Sequence, residues 1–76
     1  MSLNNPRPEE FDNLVIQIIE DNNINPFGNH GENGKQIRSQ LVELMNTQNI
    51  DYKLPPNDQT LGSLLAVIAQ DNKTNH

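Results

Sequence analysis

Three stretches of the chain repeat apolar residues at helical spacing, and turn-forming residues separate them. In the first, Phe11, Leu14, Val15, Ile18 and Ile19 follow at i, i+3, i+4, i+7 and i+8, with Asn13, Gln17 and Glu20 opposite. Pro8 suits a first helical turn, and Glu9 and Glu10 set negative charge at the positive end of the helix dipole. A helix over about residues 8–21 is predicted. A strand is the competing reading for Val15 to Ile19, but Val15, Ile16, Ile18 and Ile19 fit no period of two.

In the second stretch Ile37, Leu41, Leu44 and Met45 share a face, and Asn33 stands as a candidate N-cap with Gln36 as its capping-box partner. That predicts a helix over about residues 34–47. The third stretch, Leu61 to Gln70, has apolar residues around almost its whole circumference, so it wants neighbours on more than one side. A helix over about residues 58–71 is predicted, with Asn57, Asp58 and Thr60 all able to cap it. Leu64 and Ile68 are expected at the centre of the core, where Leu64→Ala would cost about 2–5 kcal/mol. Gly62 costs about 1 kcal/mol relative to alanine inside a helix, which points to the close approach of another backbone.

The connections differ in kind. Asn25-Pro26 forbids a helix, and Phe27 to Gly34 carries Gly28, Gly31 and Gly34, so this span reads as a loop. Ile50, Tyr52 and Leu54 alternate with polar residues, giving an extended connector over about residues 49–56 pinned to the core by three side chains. The fold class expected is all-α, a small three-helix domain over residues 1–76 with helix three against the other two, and residues 1–7 and 72–76 as flexible ends.

Composition narrows the function by exclusion. The formal charge of −5, with Arg7, Lys35, Arg38, Lys53 and Lys73 dispersed, argues against nucleic acid. The longest apolar run is about half of the roughly 20 residues that a membrane span needs. A sequence without cysteine has no disulfide or thiolate site and suits the cytoplasm. Nucleophilic catalysis lacks its parts, since His30 and His76 are the only imidazoles and neither is placed by sequence near Ser39 or Ser63. No enzyme activity and no cofactor are expected.

Two motifs carry more specific chemistry. Asp21, Asn23, Asn25 and Glu32 occupy positions one, three, five and twelve of a calcium loop, with the carbonyl of Phe27 at seven and Asn29 at nine. Pro26 stands at the sixth position, where that loop needs a glycine at positive φ, so a degenerate calcium site is kept as the alternative function. Asn25-Pro26-Phe27 matches the tripeptide that endocytic adaptor domains recognise, but the plainer expectation is a turn whose phenylalanine closes the core. Ile16 and Val42 lie on the edge of their helices' apolar stripes, and Val67 lies on the far flank of its own. These three residues form the expected interaction surface. The function expected is that of a small acidic protein-interaction module, a homo-oligomer or an adaptor.

Overall fold

The computed structural model describes residues 7–74, which form three helices and, among those residues, no strand. They are α1 (Glu9–Asp21), α2 (His30–Gln48) and α3 (Asp58–Thr74). The all-α, three-helix expectation is met, and the extended connector lies where the alternating pattern put it.

The arrangement follows from two lengths. The 19 residues of α2 span about 28 Å at helical rise. The connector, residues 49–57, reaches about 30 Å when extended. It therefore carries the chain back along α2 and starts α3 beside the start of α2. Ile50, Tyr52 and Leu54 are half-buried against the core along the way, and the Tyr52 ring meets Phe11 at 4.7 Å between centroids. The largest helix pair is consequently α2 with α3, and α1 packs on both. Phe11, Val15 and Ile18 of α1, Ile37 and Leu41 of α2, and Leu61, Leu65 and Ile68 of α3 are fully enclosed.

At the shared start of α2 and α3 the contact is backbone on backbone. A Cβ on Gly34 would overlap the carbonyl oxygen of Asp58, and one on Gly62 would overlap that of His30. The close approach expected at Gly62 is thus present, and Gly34 is its counterpart on α2. Arg38 closes the rim of this seam by donating from Nε to Asp58 Oδ1 at 3.0 Å.

Asparagines shape the helix ends. Asn23 and Asn49 take left-handed φ values of 55° and 57°, a conformation that glycine and asparagine adopt most readily. The next residue folds back in each case: Ile24 donates to the Ile19 carbonyl at 3.0 Å and Ile50 to the Met45 carbonyl at 2.9 Å. Both isoleucines then pack on the core, which ties each helix stop to hydrophobic burial. Of the three candidate caps for α3, Asn57 is used, its Oδ1 accepting from the Thr60 N–H at 3.1 Å.

Four expectations need correction. Helix α2 starts at His30 and not near residue 34, because the α3 backbone covers Gly34 and Asn29 is already the N-cap. Asn33 is therefore no cap; it is buried within α2 and donates from Nδ2 to the Asn25 carbonyl at 2.8 Å. Leu64 is only half-buried, while Leu61 and Leu65 sit at the centre. Gly62 lies about 60° to one side of Leu65 and Leu64 about 100° to the other, so docking α3 through Gly62 turns Leu64 to the rim. Helix α3 also extends past its expected end near residue 71, to Thr74. Arg7 donates to Asp12 Oδ1 at 2.7 Å and reaches Asp71 at 3.8 Å, and the Asp12 hydrogen bond raises the guanidinium's pKa. Residues 1–6 and 75–76, the rest of the expected flexible ends, lie outside the described residues.

Candidate interaction surface

Three large apolar side chains are exposed among the described residues: Phe27 at 48%, Val67 at 51% and Val42 at 42%. Phe27 and Val67 come together. They line one groove of about 330 Å³ with Ala66, Gln70 and Asp71. Helix α3 supplies all of it except Phe27, which reaches it from the loop between α1 and α2. Lys73, one turn beyond Gln70, holds its ammonium 5.9 Å from the centre of the Phe27 ring.

The loop that presents Phe27 is built from its own polar groups. The Asn25 carbonyl accepts from the Gly28 N–H at 3.2 Å, closing a four-residue turn. The Asn25 Oδ1 accepts from the Phe27 N–H at 3.1 Å. The buried Asn33 amide takes the same Asn25 carbonyl from below, so the turn is bolted to α2. Phe27 stands at the tip of that turn, and this is why it faces solvent and does not close the core.

Val42 lies elsewhere. It lines a groove of about 350 Å³ between α2 and the connector, with Arg38, Met45, Ile50, Tyr52 and Leu54 among its walls. Ile16 is half-buried and packs on the core from its edge, in a third groove with Ile68 and the polar Glu9, Asp12 and Asp71. Ile16, Val42 and Val67 therefore line three different grooves, of which those of Ile16 and Val67 share Asp71.

The twelve-residue span read as a degenerate calcium loop has its sharp turn in another place. Its left-handed residue is Asn23, at the third position, and Pro26 is not left-handed. Asp21 Oδ1 accepts from Gln17 Nε2 at 3.1 Å, and Asn25 Oδ1 is engaged as described. Asn29 serves as the N-cap of α2 without a side-chain hydrogen bond, and Glu32 is exposed in the first turn of that helix. Among the described residues, no group of three or more His, Cys, Asp or Glu side chains is gathered at one point. No helix there is long and apolar enough to cross a membrane.

No family model, curated protein or solved structure matches this chain. Physical chemistry is what remains to rank its surfaces. Phe27 is the residue that sequence reasoning misplaced, and the signal was present: a proline at the second position of a turn sends the third residue to the tip.

Proposed function

We propose that this chain is a small acidic helical module that binds another protein through the face formed by Phe27, Ala66 and Val67, without catalytic activity of its own. The observation that carries the reading is the pairing of Phe27 and Val67, two exposed apolar side chains from distant parts of the sequence in one groove. Single exposed apolar residues are ordinary on a protein surface, whereas clustered ones mark partner sites. An adaptor is favoured over a homo-oligomer because a second copy brings another −5 of like charge to the contact. A sequence without cysteine suits work in the cytoplasm.

Photo-crosslinking in the cells that make the protein tests this directly. A benzoylphenylalanine placed at position 67 should trap a discrete protein that the same group at the exposed position of Glu43 does not. A product of twice the chain's own mass would assign the face to self-association. Identical product patterns from both positions would refute the proposal.

A further inference from the structure

We propose that the Asn25–Pro26–Phe27 turn is itself the recognition element, a preformed docking turn for a protein domain whose apolar pocket takes one phenyl ring. This rests on the interaction reading above and names the kind of partner it implies. Three observations converge on the turn. The Phe27 ring is about half exposed at the tip, and its neighbours Gly28 and Asn29 are exposed too, so the approach to the ring is open on that side. The backbone is fixed before any partner arrives: the Gly28 N–H, the Phe27 N–H and the Asn33 amide all bind Asn25. Pro26 fixes one φ angle between them. A partner then meets a ring whose ordering entropy was lost at folding, which is how rigid loops gain affinity from few contacts.

The shape selects a pocket over a flat surface. One half-exposed aromatic side chain at the tip of a tight turn offers a single anchor, with the Asn25 carboxamide beside it as a polar group for the pocket's mouth. Glu20, Asp21 and Glu32, exposed on either side of the loop in sequence, favour a pocket whose rim is basic where it meets the loop. The Lys73 ammonium, 5.9 Å from the ring centre, marks the α3 side as the one such a rim avoids. The tripeptide Asn-Pro-Phe is the one that endocytic adaptor domains take up, and here it is held in one conformation by the fold.

The experiment is isothermal titration of the whole 76-residue protein with a recombinant adaptor domain of the class that binds Asn-Pro-Phe peptides. A dissociation constant in the range of about 1–100 μM is expected, as for a single-anchor contact. Phe27→Ala should weaken it at least tenfold while Glu43→Ala, an exposed change away from the loop, alters it less than threefold, with circular dichroism confirming that both remain helical. Should Phe27→Ala lose its fold, Phe27→Leu replaces it, keeping the apolar bulk and removing the ring, with the same tenfold loss expected. Absence of binding at about 1 mM, full binding by the Phe27 variant, or an equal loss from Glu43→Ala would each overturn the proposal. Selective crosslinks from position 67 beside a silent titration would leave the interaction module standing and remove only the docking turn.

Discussion

Helix α3 contributes to two surfaces of opposite construction. At its start, Gly62 presents no side chain, and the absence lets the α2 backbone touch it. Further along, Ala66 and Val67 line a groove that Phe27 completes from outside the helix. The first surface holds the fold with almost no side-chain area, and the second carries apolar area that the fold leaves open. Apolar content alone would rank them the wrong way round. What decides is whether a backbone or the solvent lies opposite.

The largest effect should come from filling the seam at both points. Gly34→Ala with Gly62→Ala places two methyl groups on carbonyl oxygens that belong to helical backbone and cannot swing aside. A domain of this size holds only about 5–10 kcal/mol, and the double variant should show no cooperative thermal transition by circular dichroism.

Leucines on one helix give the next contrast. Leu65→Ala should lose about 2–5 kcal/mol in urea titration, whereas Leu64→Ala, on the rim, should lose about 1 kcal/mol. Equal losses would mean that α3 is turned by roughly 100° from the orientation that Gly62 sets.

The smallest effect belongs to the left-handed helix stop at Asn49. Asn49→Gly should gain up to about 1 kcal/mol, and Asn49→Ala should lose about 1 kcal/mol, since a Cβ without a polar group is disfavoured there. A gain from both would place the chain outside the left-handed region.

What could be read from the chain depended on how local its causes were. The face of α1 was legible because five apolar residues at helical spacing need no partner to be recognised, and all five are buried. Asn57 was legible as one of three candidate caps because a cap acts within three residues, and the fold uses it. The close approach at Gly62 was legible because a glycine inside an apolar helix has few other reasons to be there. The start of α2 was not, because Gly31, Asn33 and Gly34 look like breakers until α3 lies on Gly34 and Asn25 accepts from Asn33. Leu64 was misplaced for the same reason, since the centre of a wide apolar face is set by the partner and not by the face. For the candidate surface, Val67 was legible as lying on the far flank of its helix, where it is exposed, but its companion was hidden. Nothing in local spacing brings residue 27 to residue 67.

The contrast between the seam and the open face is tested most directly by one urea titration on two single variants, each changing one residue of α3 to alanine. Alanine is the better helix former in both cases, by about 1 kcal/mol over glycine and by a smaller margin over valine, so propensity alone would stabilise both. Gly62→Ala should instead lose at least about 2 kcal/mol by overpacking the seam, and Val67→Ala should stay within about 0.5 kcal/mol of the parent. A gain from Gly62→Ala, or a loss of about 2 kcal/mol or more from Val67→Ala, would contradict this division of the helix between a folding seam and a free binding face.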